Sequence, residues 1–170
     1  MSLARSARLA ALIIPALNEA PVLAATLRAI PPGLFALVIV VDNGSTDGTA
    51  AIARQGGALV VVEPERGYGA ACLKALAALP PETEIVAFLQ ADLSEDPQEA
   101  PRPLNPIISG QADLVIGSRV LGHAAAGALL PHQRVGNWLA TSLIRFFYGH
   151  RYTDLGAFRA IRRDALDQLP

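Results

Sequence analysis

Asp92 is the most chemically loaded carboxylate of the chain. It follows the apolar run Ile85-Val86-Ala87-Phe88-Leu89 after only Gln90 and Ala91. A hard divalent cation that bridges two phosphates takes one or two carboxylates and completes its shell with phosphate oxygens and water. Asp92 supplies such a carboxylate. Glu95 and Asp96, further along, read as a solvated acidic turn before Pro97. Asp42 is the second carboxylate of interest. It ends the run Leu37-Val38-Ile39-Val40-Val41, where it could accept hydrogen bonds from a base or a ribose. The residues behind it, Asn43 to Thr49, equally suit a tight turn and a helix cap.

Other polar groups also follow apolar runs. Pro15-Ala16-Leu17-Asn18-Glu19 succeeds the first run, and Gly117-Ser118-Arg119 succeeds the last. Gly67-Tyr68-Gly69 suits a turn that lets backbone approach a ligand, but it lacks the third glycine of a dinucleotide fingerprint and the lysine of a Walker loop. His123, His132 and His150 have no metal spacing and read as surface or loop residues. Cys72 has no adjacent base in sequence and reads as a structural thiol.

These residues need a scaffold that delivers them to one edge. Apolar strands are expected at 10–14, 37–41, 59–62, 85–89 and 114–116, alternating with helical patterns near 23–30, 69–78 and 104–108. Ser45 or Thr46 is expected to cap a further helix that Gly56-Gly57 closes. A β-α-β-α rhythm with short connections predicts an α/β three-layer sandwich around a mostly parallel sheet. Ligands of such sheets bind beyond the carboxyl ends of the strands, where the polar residues gather. Beyond Ile116 the pattern changes: 120–130 is Gly/Ala-rich and suggests a mobile lid, and a helix is expected from about Gln133 to Tyr148. Its stripe of Val135, Trp138, Leu139, Ser142, Leu143 and Phe146 suits core packing, or alternatively a membrane interface.

Composition narrows the class. With 170 residues, 52% hydrophobic and 17% charged, the chain is long and apolar enough for one domain with its own core, which excludes a disordered tail or a coiled coil. A single cysteine excludes internal disulfides and cysteine-rich zinc sites, as in a reducing, cytoplasmic setting. A net charge of −1 argues against nucleic-acid binding. That average hides a split: residues 1–116 carry 7 basic and 12 acidic side chains (−5), and residues 117–170 carry 7 basic and 3 acidic ones (+4). Either this is ordinary surface variation, or the second part faces something anionic. The apolar run after Arg5 and Arg8 is too short for a signal peptide, and no stretch reaches the ~18 apolar residues of a spanning helix.

The ordered motifs resemble the family 2 glycosyltransferases. Ile13 to Glu19 is similar to their opening strand and loop, Val40 to Thr49 to their second signature, and Arg66 to Ala71 to their glycine-containing block. Leu89 to Pro97 occupies the place of the metal-binding DxD motif, with Gln90 where the first aspartate stands. Gly117-Ser118-Arg119 and Thr153 to Arg159 resemble later blocks. The likeness runs from about Leu12 to Leu166, and within the family it is greatest to the dolichyl- or polyprenyl-phosphate mannose and glucose synthases.

This resemblance implies a nucleotide-diphospho-sugar transferase (GT-A, Rossmann-like) fold and an inverting transfer from a nucleoside diphosphate sugar to a lipid phosphate or other small acceptor. It implies Mg²⁺ or Mn²⁺ at Asp92. The donor would meet Pro15, Ala16, Leu17, Asn18, Glu19, Asp42, Gly44, Ser45, Gly69, Gln90, Ala91, Asp92, Arg119 and Arg134, with Asp42 on the nucleobase. Asp154 would orient or catalyse, and Arg159 with its basic neighbours would hold the acceptor phosphate. One domain, 1–170, is expected, divided into a nucleotide-sugar-binding part at 1–117 and an acceptor-side part at 118–170. That second part is expected to be cut short at Pro170, and contact with a membrane face is open to it. Because of Gln90, a nucleotide-sugar-binding module without turnover stands as the alternative. A nucleotidyltransferase fits less well, since Lys74 is the only lysine and no glycine-rich, lysine-bearing opening loop exists.

Overall fold

A computed structural model describes residues 9–118, 131–149 and 151–169. The strands are β1 (Ala10–Ala16), β2 (Leu37–Asp42), β3 (Leu59–Val62), β4 (Ile85–Phe88), β5 (Leu114–Ile116) and β6 (Arg159–Arg162). The helices are α1 (Ala20–Ala29), α2 (Thr49–Gln55), α3 (Tyr68–Ala77), α4 (Pro101–Ile108), α5 (Pro131–Tyr148) and α6 (Arg163–Leu166). The strands form one sheet in the order β3-β2-β1-β4-β6-β5. β1 is parallel to β2 and to β4, and β2 is parallel to β3.

Continuous apolar strands demand cover on both faces, and both faces are covered. Leu12, Ile14, Val40, Ala87 and Leu89 pack with Leu23 of α1, Ala53 of α2, and Leu104 and Ile107 of α4. The alternate residues Ile13, Ile39, Val41, Val86 and Phe88 pack with Ala71 and Ala75 of α3, and with the partly buried Ala165 and Leu166 of α6. This is the three-layer α/β arrangement the sequence predicts.

Two expectations fail. The sixth strand, β6, is absent from the sequence reading. It runs antiparallel to β4, with Ile85 opposite Arg162 and Phe88 opposite Arg159. Four residues with an arginine at each end leave only Ala160 and Ile161 to signal a strand, too few for a period-two pattern. The second failure is the α5 stripe. Val135, Trp138, Leu139, Leu143 and Phe146 are not core residues but lie 47–81% exposed, with Phe147 and Tyr148 exposed beside them. Among the described side chains of α5, Asn137, Ala140, Thr141, Ser142 and Ile144 are half-buried, so the covered side is mostly polar or small, with Ile144 its one large apolar residue.

The chain forms two compact units. One comprises the sheet through Val115 and resumes at Phe158; the other spans Ile116–Ala157. Residues from Phe158 onward therefore belong with the sheet rather than with residues 118–157. In the second unit, Asn137 of α5 gathers the segment after the helix. Its Nδ2 donates to Thr153 O (3.1 Å), and its Oδ1 accepts from Leu155 N (3.1 Å). Thr153 Oγ1 in turn donates to Ser118 Oγ (2.9 Å). Among the described residues no helix is long and apolar enough to cross a membrane.

Candidate functional site

The carboxyl ends of β1, β2 and β4 stand side by side. Ala16 is opposite Asp42, and Ile13 is opposite Phe88. Beyond β1 the chain turns at Asn18, whose φ of 57° lies in the left-handed region that asparagine tolerates. This turn is locked to the loop behind β2. Asn18 N donates to Ser45 Oγ (3.0 Å), Glu19 N to Thr49 Oγ1 (2.9 Å) and Ala20 N to Asp47 Oδ2 (3.2 Å). In return Asn18 Oδ1 accepts from Thr46 N (2.9 Å). Side chains from another loop thus satisfy the orphan N–H groups where α1 begins, which a local cap would otherwise serve. Ser45 and Thr46 do not cap α2, as the sequence suggests; α2 starts at Thr49 behind Gly48, with Asp47 Oδ1 accepting from Thr49 N (2.9 Å) and from its hydroxyl.

The bond from Thr49 holds the Asp47 carboxyl below its ordinary range, aided by the backbone N–H groups of Thr49 and Ala20. A lowered carboxylate pKa gives stability that is whole above the unfolded value and is lost as pH falls through the folded one. Asp47→Ala is therefore expected to lower the urea midpoint at pH 6. The gap to the unsubstituted protein should narrow at pH 3, below the ordinary carboxylate pKa of about 4. An equal gap at both pH values would refute the assignment.

Asp42 is buried, and its Oδ1 accepts from Ser45 N (2.9 Å). Asn43, also buried, reaches the loop behind β3. Its Nδ2 donates to Glu63 O (2.9 Å) and Glu65 O (2.6 Å), and its Oδ1 accepts from Gly67 N (2.8 Å). Gly67 has a φ of 142°, which an L side chain rarely adopts, and it introduces α3 with Tyr68 and Gly69 in its first turn.

Behind β4, Gln90 and Asp92 lie in one tight turn. Asp92 is exposed, with Oδ1 accepting from Ser94 N (2.9 Å); Gln90 Oε1 accepts from Ser94 Oγ (3.3 Å). Thr26 of α1, which sequence reasoning missed, donates its buried hydroxyl to Ala91 O at 2.6 Å. A lone threonine in a helical pattern gives no warning of such a contact. Glu95 corrects another expectation. It is half-buried rather than solvated, and its Oε1 accepts from Phe158 N (2.7 Å). Asp96 caps the short 3₁₀ turn Pro97–Glu99 through Gln98 N.

Electrostatics divide the site into two neighbourhoods. Glu19 is pushed above its ordinary value by burial first, then by the charges of Asp92 and Asp47. On the α3 side, burial pushes Tyr68 up to about 12, so its hydroxyl stays protonated and serves as a donor. Burial also raises the Cys72 thiol, which accords with a structural role. The charge of Arg159 acts on both groups, and that of Glu95 acts on Tyr68.

The fold thus gathers Pro15, Ala16, Leu17, Asn18, Glu19, Asp42, Gly44, Ser45, Gln90, Ala91 and Asp92 at one sheet edge. Gly69 and Arg159 lie on the α3 side of the same unit. Asp154 is buried in the second unit. Arg134 stands in the first turn of α5, its side chain outside the described residues; Arg119, the 120–130 lid, His123 and His150 also lie outside them. The basic neighbours of Arg159 do not join it. Arg162 pairs with Asp113 (3.2 Å) and Asp164 (2.5 Å), and Arg163 with Asp167 (2.8 Å), at the opposite end of β6. A cavity of about 420 Å³ opens there too, lined by Ile85, Ile107, Arg162 and Arg163, and it holds none of the expected site residues.

Among the described residues no group of three or more His, Cys, Asp or Glu forms a complete metal cage. The oxygen donors still suit Mg²⁺ or Mn²⁺. Such ions take few protein carboxylates and draw the rest from phosphates and water. The charges of Asp92 and Asp47, which add to burial in raising the Glu19 carboxyl, leave local negative charge that a cation would relieve.

A sheet with this order, and a polar edge at its carboxyl ends, define a GT-A-like α/β protein. Residues 11–169 match glycosyl transferase family 2, and the chain belongs to that family. It is 34% identical over 163 residues to the low-salt glycan biosynthesis hexosyltransferase of Haloferax volcanii, covering 92% of this chain and 39% of that protein. It is 41% identical over 158 residues to a glycosyltransferase of Mycobacterium tuberculosis, covering 92% of this chain and 69% of that one. Among solved structures it is similar to glucosyl-3-phosphoglycerate synthase from Mycobacterium tuberculosis in complex with Mn²⁺, uridine-diphosphate-glucose and phosphoglyceric acid. The TM-score is 0.75 at 27% identity, over 98% of this chain and 61% of that one. The chain thus spans from about two fifths to just over two thirds of the length of these relatives.

Proposed function

We propose that this protein transfers a sugar from a nucleoside diphosphate sugar to an acceptor that carries a phosphate. The observation that carries this reading is the placement of Asp42, Gln90 and Asp92 at the carboxyl ends of β2 and β4, with the loop behind β2 tied to the start of α1 through Asn18, Ser45 and Asp47 and the turn behind β4 tied to the same helix through Thr26. Asp42 would hold the nucleobase. Asp92, with the carbonyl oxygen of Gln90, would hold a divalent ion on the diphosphate. As the bond from the anomeric carbon to the diphosphate oxygen breaks, negative charge collects on the leaving group; a cation held by Asp92 and Gln90 would supply charge stabilisation there. An acceptor phosphate is already anionic and attacks without a strong general base. Arg159 would bind it by charge-assisted hydrogen bonds, and Asp154 would orient the acceptor.

For the acceptor, the outward apolar face of α5 favours a lipid phosphate. Trp138, Leu139, Leu143, Phe146 and Phe147 are exposed, Arg145 lies beside them, and a helix of this kind lies along an anionic bilayer surface. The relative solved with phosphoglyceric acid makes a small phospho-acid the competing choice.

A nucleoside diphosphate with Mn²⁺ at 100 times its Kd is expected to stabilise the fold by about 2.7 kcal/mol. That corresponds to roughly 5–10 °C in Tm for a chain of this size. No shift at millimolar ligand would count against the donor reading. Vesicles containing anionic lipid and polyprenyl phosphate, set beside soluble phosphoglycerate, decide the acceptor by which one accepts labelled sugar.

A further inference from the structure

We propose that Thr26 and Glu95 are positioning residues that pin the turn from Gln90 to Asp96 at two points and so present Asp92 preformed. The inference rests on the reading of Asp92 as the cation-holding carboxylate. Three observations carry it. At the start of the turn, the fully buried Thr26 hydroxyl of α1 donates to Ala91 O at 2.6 Å, closer than to Val22 O of its own helix at 3.3 Å. Near its end, Glu95 Oε1 accepts from Phe158 N at 2.7 Å, which fastens the turn to the residue before β6. Between these pins Leu93 has a φ of 58°, a left-handed conformation that costs a bulky non-glycine residue energy and persists only where its surroundings over-determine it.

The two pins have distinct anchors. Thr26 ties the turn to α1, the helix that begins at the locked Asn18 loop, and Glu95 ties it to the strand that carries Arg159. Asp92 itself is exposed, and its carboxylate accepts locally, from Ser94 N. Its aim is therefore set by the backbone of the turn rather than by partners of its own carboxylate. Preorganisation of this kind lowers the cost of ordering a ligand-holding group.

The test measures Mn²⁺ binding by calorimetry in the presence of a nucleoside diphosphate, alongside nucleotide binding in chelator. Glu95→Ala and Thr26→Val are each expected to raise the half-saturating Mn²⁺ five- to tenfold while changing metal-free nucleotide binding less than twofold. Glu95→Gln keeps an acceptor oxygen, and Thr26→Ser keeps the hydroxyl; both are expected to stay within twofold of the unsubstituted protein. Leu93→Gly adopts the left-handed conformation freely, so it should fold at least as stably yet bind Mn²⁺ more weakly. Unchanged Mn²⁺ binding in folded Glu95→Ala, Thr26→Val and Leu93→Gly would overturn the proposal, as would failure of both conservative variants to restore it. Loss of Mn²⁺-dependent binding from the unsubstituted protein would instead sink the reading of the site. The pins are then judged by amide exchange. Phe158 N–H is expected to exchange at least tenfold faster in Glu95→Ala and not in Glu95→Gln, and unchanged exchange in Glu95→Ala would overturn them.

Discussion

Asp92→Asn is expected to lower turnover by a factor of about 10²–10³, in the range found when a group stabilising transition-state charge is removed. The asparagine keeps the shape of the side chain and an oxygen to accept from Ser94 N, so the turn should survive. Because Asp92 is exposed, stability should change by no more than about 0.5 kcal/mol. On the proposed reading, what disappears is the full charge that would face the departing diphosphate, from a turn where Gln90 would contribute only a neutral oxygen. The loss should therefore fall on kcat and on half-saturating Mn²⁺ together. In the same assay Gln90→Asp restores a second charge and should move half-saturating Mn²⁺ the other way. Sugar transfer by Asp92→Asn at an undiminished rate would refute the role given to this carboxylate.

The second large effect lies in the core. Leu23→Ala is expected to destabilise the fold by about 3 kcal/mol, read as a lower urea midpoint at unchanged m-value. Leu23 is fully buried and is the one large apolar side chain that α1 sinks completely into the layer formed by Leu12, Ile14, Val40 and Leu104. Truncation opens a cavity under a helix that also carries Thr26, so neighbouring atoms collapse into it only in part. Against a typical total of about 5–15 kcal/mol, such a loss is a large share. A change below about 1 kcal/mol would mean that α1 contributes little to holding the sheet.

The first five strands could be read from the chain because they are continuous apolar runs. Leu59–Val62 and Leu114–Ile116 lie where periodicity puts them; the expected β1 and β2 stop two residues and one residue early, and the expected β4 runs one residue too far. What escaped is held by single side chains across long sequence separations. Thr26 meets Ala91, 65 residues away, and Glu95 meets Phe158, 63 residues away; no local pattern encodes either contact. Ser45 looked like a cap because serine before a helix usually is one. Here its oxygen turns to Asn18 N, since the start of α1 has more unsatisfied donors than its own residues can serve. The stripe on α5 misled for a different reason. An apolar face specifies that something covers it, without specifying that the cover is the same core.

Asn43 carries a consequence for tolerance to change. One side-chain amide does the work of two peptide groups, donating to a pair of carbonyls and accepting from an amide 24 residues on. The side chain of nearest shape, aspartate, would present oxygen to both carbonyls and has no hydrogen to give them. At this position the smallest chemical step is thus among the most disruptive. Substitution scales that rank asparagine and aspartate as near neighbours would misjudge it, and the loops behind β2 and β3 are bound to vary together rather than singly.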